Sequence, residues 1–137
     1  MSYKDNLIDK INMYIKTNYK KINHKDMVLG DSYYNRRCHL NAVQYIKQDK
    51  AEEVYLCIYI DNGQPIVHFI NKKDDKYIDN TLGWLYEQME YYIIKQVNET
   101  EYNNIWNLLK ETKESLTNLY TSSFTRFIFR IKSMNLL

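Results

Sequence analysis

Few features of this chain point to a specialised class. Its 137 residues include only 3 Gly, 1 Pro and 2 Cys. Two cysteines cannot build the disulfide framework of a small secreted domain, so a cytoplasmic, reducing compartment is expected. Cys38, Cys57, His39 and His68 lack the paired spacing of zinc ligands, and neither a metal nor another cofactor is expected. No run approaches the roughly 18 apolar residues of a membrane-spanning helix. Met1 to Asn6 has no apolar core of signal-peptide length. With 19 basic against 17 acidic side chains, the chain lacks the clustered basic excess of a dedicated nucleic-acid binder. No linker, repeat or low-complexity stretch divides it, so one domain over residues 1–137 is expected. Nothing in the sequence speaks to oligomeric state.

What is abundant is Tyr, at 14 copies, together with Asn, Lys and Ile. These residues have AT-rich codons, and the bias fits the genome as well as any binding surface. Small, linkerless domains of this composition are common among phage and mobile-element proteins that act on a host factor.

Hydrophobic periodicity organises the chain. Leu7, Ile8, Ile11, Tyr14 and Ile15 recur at helical spacing, predicting an amphipathic helix from about Tyr3 to Lys20, started by Ser2 or nearby. Asn23 to Arg37 reads as an irregular approach loop. A short helix from Cys38 to about Lys47 follows. Val54 to Ile60 is strand-like and ends at Asn62-Gly63, a strong hairpin signal. A second strand runs from Pro65 to Lys72, turns at Lys73 to Lys76, and returns as Tyr77 to Thr81. Glu90 to Val97 fits a fourth strand, with a helix from Leu85 onward as the alternative. Asn98 to Glu101 resembles a cap, and a helix continues toward Tyr120. The tail from Phe124 to Lys132 mixes aromatic and basic residues. It fits either a membrane-surface or partner contact, or a helix packing Phe124, Phe127, Ile128 and Ile131 on the domain.

Three residues carry candidate chemistry. Cys38 opens a helix, where the helix dipole lowers a thiol pKa. His68 lies on a strand that could present it to that thiol, and Asp79 lies on the next strand, where a carboxylate would orient the His. Register makes the idea checkable. With Asn62-Gly63 and Asp74-Asp75 as two-residue turns, Cys57 faces His68 and Lys73 faces Lys76. His68 and Asp79 then share a face as diagonal neighbours, roughly 7–8 Å apart along the backbone and closer at the side chains. A one-residue slip would separate them. Cys57 is the rival nucleophile, but mid-strand it lacks a dipole and easy access, which favours core packing. Arg36 and Arg37 would help hold a thiolate. His39 is expected at the surface or behind the site. Both sheet faces are apolar enough to be covered, which suggests the Cys38 helix on one side and the terminal helices on the other.

Arg37-Cys38-His39-Leu40-Asn41-Ala42, His68-Phe69-Ile70-Asn71 and Tyr77-Ile78-Asp79-Asn80-Thr81 together resemble the transglutaminase-like branch of the papain-like cysteine hydrolases, over about Tyr33 to Val97. The resemblance implies an α+β fold. Its Cys-bearing helix packs on a mainly antiparallel sheet of three to four strands, with flanking N- and C-terminal helices. It also implies a Cys38-His68-Asp79 triad for acyl transfer to water (peptidase or deamidase) or to an amine (transglutaminase), acting on a protein or peptide. The chain departs from the family in having no Gly before Cys38 and a short hairpin between His68 and Asp79. The start of the Cys38 helix would supply one oxyanion donor, and Tyr33, Tyr34 or Asn35 a second. Tyr34, Asn35 and Trp84 are the candidate substrate-binding residues, with Trp84 as an apolar platform. The alternative from another class is a non-catalytic binder or inhibitor that uses the same scaffold against a host factor.

Overall fold

The computed structural model describes residues 2–132 and 137. Helix α1 spans Tyr3–Asn18 and starts as its sequence predicts. Ser2 caps the Asp5 N–H and Asp5 reaches back, forming a capping box. Leu7, Ile11 and Ile15 form its buried stripe. Helix α2 spans Cys38–Lys47, α3 spans Ile105–Asn118 and α4 spans Ser123–Ile128. The predicted Asn98 cap is present as a capping box with Glu101. It opens a 3-10 turn, Glu99–Asn104, that leads into α3.

The sheet has six strands: β1 Lys20–Lys21, β2 Met27–Leu29, β3 Glu53–Asp61, β4 Gln64–Lys73, β5 Lys76–Asp79 and β6 Glu90–Val97. Their order is β1-β6-β3-β4-β5-β2. All pairs are antiparallel except β2 with β5. The expectation of three to four strands is therefore too small. β6 forms as a strand rather than the alternative helix. β1 and β2 are two and three residues long, too short for any alternation to register in the sequence.

Both hairpins hold the predicted register. Cys57 pairs with His68 and Ile60 with Pro65, while Lys73 pairs with Lys76. Asn62 and Gly63 both have positive φ, as do Asp74 and Asp75, which suits tight two-residue turns.

One expectation fails. α1, α2 and α3 share a single buried cluster with Val54, Leu56, Ile58, Val67 and Phe69, so the helices do not flank the sheet from both sides. The opposite face carries Cys57, Ile70 and Tyr91, covered by Ile22, Met27 and Met89. It also presents Tyr55, Tyr59 and Tyr77. Tyrosines need polar partners for their hydroxyls. Tyr55 finds Glu53 at 2.8 Å and Tyr91 finds Asp79 at 2.5 Å. Short irregular segments can satisfy such a face where an apolar helix stripe cannot.

The tail also differs from a simple packed helix. Phe124, Phe127, Ile128 and Phe129 are exposed. The buried side of α4 is taken by Arg126, bonded to Glu114 and Asn118 of α3, each at 2.6 Å. Phe129 stacks on Tyr3 with ring centroids 4.3 Å apart. A short helix has room for one anchored face, and a guanidinium occupies it.

Candidate active site

The β4–β5 pairing covers only Asn71 to Lys73 on β4. Among the described residues, the edge of β4 that faces away from β3 has no strand partner upstream of Asn71. Two groups use it. Val67 donates its N–H to the Leu137 carbonyl at 3.1 Å, and the Phe69 N–H is turned toward the Cys38 thiol and helps lower its pKa. The start of α2 thus lies against an open strand edge, and His68 sits between these two donors.

Cys38 is the first residue of α2 and is 8% exposed. Burial alone would raise its pKa. The His68 charge, hydrogen bonds from His39 and His68, and the Phe69 N–H outweigh burial and bring the thiol down to about 6. Burial likewise opposes charging of His68. The Asp79 carboxylate and the Cys38 thiolate overcome that opposition and raise the imidazole to about 10. Near neutral pH the pair is a thiolate and an imidazolium. Cys57 behaves oppositely. It is fully buried, and burial with the nearby Asp79 charge pushes its thiol well up, so it remains a packed thiol as the sequence suggests.

His68 Nε2 lies 2.9 Å from Asp79 Oδ2, which leaves Nδ1 for the thiol. Asp79 has no exposed surface, yet its carboxylate is fully hydrogen-bonded. Oδ1 accepts from the Thr81 and Leu82 N–H groups, both at 3.0 Å. Oδ2 takes His68 and the Tyr91 hydroxyl. Although burial disfavours the charged form, the His68 charge and these donors hold the carboxyl below its ordinary value. Tyr59 stands edge-on to the His68 ring at 4.8 Å, near perpendicular, and limits its rotation.

Buried amides tie the three triad elements together. Asn71, three residues after His68, donates to the Ala42 carbonyl of α2 at 2.9 Å. Asn80, adjacent to Asp79, donates to Asn71 Oδ1 at 3.0 Å and to the Asn41 carbonyl at 3.2 Å. Asn41 donates to Thr81 Oγ1 at 2.8 Å and Asn35 Oδ1 at 2.9 Å. Sequence reasoning missed Asn41, Asn71, Asn80 and Tyr91. The available signal was Asn in otherwise apolar strand and helix positions, since a buried amide without partners is costly.

The approach loop is strained where it meets the nucleophile. Tyr34 and Arg36 both have positive φ, at 50° and 57°, which non-glycine residues rarely adopt. Tyr33 and Tyr34 spend their backbone N–H groups on the Asn80 and Thr81 carbonyls, and Asn35 spends its amide on Asn41. The backbone N–H groups of Tyr33 and Tyr34 and the Asn35 amide are therefore not free as oxyanion donors. The N–H groups of the first turn of α2 are the free donors at the thiol. Gly83 closes the loop from below. At φ 57° a Cβ there would lie 1.6 Å from Ser32 Oγ, so only glycine allows this contact.

Cys38 and His68 open on a cleft of about 480 Å³ bounded by Tyr34, Tyr59, Leu82, Trp106 and Lys113. Tyr34 lines it as expected, whereas Asn35 acts behind it. Trp84 does not line it. Trp84 is 57% exposed on the 3-10 turn Gly83–Gln88, and the indole in the cleft is Trp106 from α3. His39 is half-buried behind the site, one of the two expected places. It packs on Trp106 at 5.0 Å and helps lower the Cys38 thiol, and its buried Nδ1 has no hydrogen-bond partner among the described residues. A larger depression, about 880 Å³, runs along Phe127, Ile128 and Arg130 and has no Cys or His among its described lining residues. Among the described residues no group of three or more His, Cys, Asp or Glu is placed to hold a metal, and no helix is long and apolar enough to cross a membrane. No protein-family model, curated protein or solved structure matches the chain, so its chemistry rests on the geometry of its own side chains.

Proposed function

We propose that the protein is a cysteine-dependent acyl-transfer enzyme of the transglutaminase-like, papain-like kind. One observation carries the reading: the hydrogen-bonded row of His68, Asp79 and Tyr91, with the Cys38 thiol electrostatically coupled to His68 and both facing one cleft. A buried charged pair with this many oriented donors is a costly device for structure alone.

The Cys38 thiolate attacks a peptide, isopeptide or side-chain amide carbonyl, and a C–S bond forms as the carbonyl oxygen becomes an oxyanion. The free N–H groups at the start of α2 stabilise it. The His68 imidazolium gives its proton to the leaving nitrogen, the C–N bond breaks, and a thioester remains. His68, now neutral, takes a proton from water or an amine as that group attacks the thioester. Cys38 leaves as thiolate and the product is an acid or a new amide. Asp79 holds the ring in place throughout and stabilises its charged form.

The second reading is a non-catalytic binder on the same scaffold, favoured by the exposed Phe124, Phe127, Ile128 and Phe129. Titrating Cys38 with iodoacetamide in the native protein separates the two. The enzyme reading expects fast labelling at pH 7 that collapses in His68→Ala. Labelling no faster than that of a peptide thiol, or unaffected by His68→Ala, would refute it. A biological effect that survives Cys38→Ala would favour the binder.

A further inference from the structure

The walls of the cleft are mostly apolar or aromatic, and His68 is the imidazole of the reacting pair. The only other charged side chains lining it are Arg36 and Lys113, and no carboxylate joins them. Neither forms an ion pair with a carboxylate among the described residues. Lys113 is half-buried. Its burial holds the ammonium below the ordinary lysine range, and the charge that favours the ammonium is Cys38. Arg36 is held at the rim by a backbone conformation that arginine seldom adopts. A half-buried cation without a carboxylate partner is unfavourable unless an anion completes it. Cations that converge on one cleft also concentrate anionic ligands there.

We propose that the cleft selects acyl donors with a carboxylate close to the reacting carbonyl, as in a peptide with an acidic side chain at or beside the reacting residue, and that Lys113 and Arg36 bind that carboxylate. This rests on the reading of Cys38 as the nucleophile and adds the substrate class. Trp106, Leu109 and Leu82 then receive the apolar part of the same segment, as mixed pockets with a few convergent polar groups do.

Iodoacetate and iodoacetamide transfer the same carbon to sulfur and differ in one negative charge. The ratio of their alkylation rates at Cys38 therefore reads the anion preference and cancels changes in thiol reactivity common to both. Lys113→Gln and Arg36→Gln should each lower the iodoacetate/iodoacetamide ratio by about fivefold, the effect of one partly screened charge a few ångströms away. Lys113→Arg should restore it, and Lys110→Gln, exposed on the same helix, should leave it alone. A matched pair of peptidyl vinyl sulfones, Asp in one and Asn in the other, should show the same Lys113-dependent preference. Normal iodoacetamide reactivity with ratios unchanged in both variants would overturn the anion site and leave the nucleophile standing. Equal rates for the two peptide probes would overturn the acidic-peptide assignment. Cys38 unreactive to both small reagents would overturn the nucleophile and this inference together.

Discussion

The Tyr91 hydroxyl donates to the same carboxylate oxygen of Asp79 that holds His68, at 2.5 Å and 2.9 Å respectively. One atom of β5 thus links the phenol of β6 to the imidazole of β4. Burial and the Asp79 charge drive the Tyr91 pKa far up, so this phenol is always a donor. Tyr91→Phe keeps the ring and removes the bond. It should lower the Cys38 alkylation rate at pH 7 by about tenfold and cost about 1.5–3 kcal/mol of stability, the range for a hydrogen bond to a charged group. Alkylation kinetics and denaturant melts measure the two effects. A wild-type rate in a destabilised protein would make Tyr91 a support for the fold alone.

Alkylation of Cys38 against pH gives a second prediction. With the thiol lowered to about 6 and the imidazole raised to about 10, the rate should rise near pH 6 and stay flat into the alkaline range. An ordinary thiol would still be rising at pH 8 to 9. Turnover should also fall as pH passes about 10, where the imidazolium that protonates the leaving group is lost. Both limbs belong to the coupled pair rather than to either residue. In His68→Ala the first limb should move up to the range of an unassisted thiol.

Asp79 contributes to stability on the acid side. Its folded pKa lies below the ordinary aspartate value of about 3.9, so its stabilising effect is complete above about that pH and is lost as pH falls through the lowered value. Asp79→Asn should lower the melting temperature at pH 7, and the gap from wild type should narrow toward pH 3. The variant should also slow alkylation at pH 7 about 100-fold or more, because its amide can face Nε2 with the wrong polarity. A gap that stays constant with pH would assign the loss to packing.

The approach loop is open to a backbone test. Gly83→Ala places a methyl against Ser32 at a positive φ and should destabilise the fold by about 2 kcal/mol or more. Adding Ser32→Gly opens space without relieving the φ, so the double variant should recover only part of the loss. Full recovery in a thermal melt would mean that the clash alone requires glycine.

Much of the relationship between His68 and Asp79 was legible because it depends on parity. The Asn62-Gly63 and Asp74-Asp75 turns set the register that puts His68 and Asp79 on one face, and α2 starts at the predicted Cys38. Contacts between elements distant in sequence were not legible. Asn71, Asn80 and Asn41 looked like ordinary polar interruptions until α2 was seen resting on β4 and on the end of β5. Trp84 was expected as the platform and Trp106 was missed, since only the position of α3 brings the Trp106 indole to the cleft. The helices were expected on both faces because both faces are apolar, yet the tyrosines on one of them need partners that a helix stripe does not offer.

The dependence of Asp79 on Tyr91 has a consequence for the order of assembly. The β3–β4 and β4–β5 hairpins are local and can form early, but β6 must close over β3 from a later part of the chain before Tyr91 reaches the carboxylate. Until then Asp79 lacks one of its donors, and His68 has a weaker hold on its proton. Under the proposed function, the thiol reaches full reactivity only when the last strand is seated, and fast labelling of Cys38 during refolding would follow completion of the sheet rather than the first collapse.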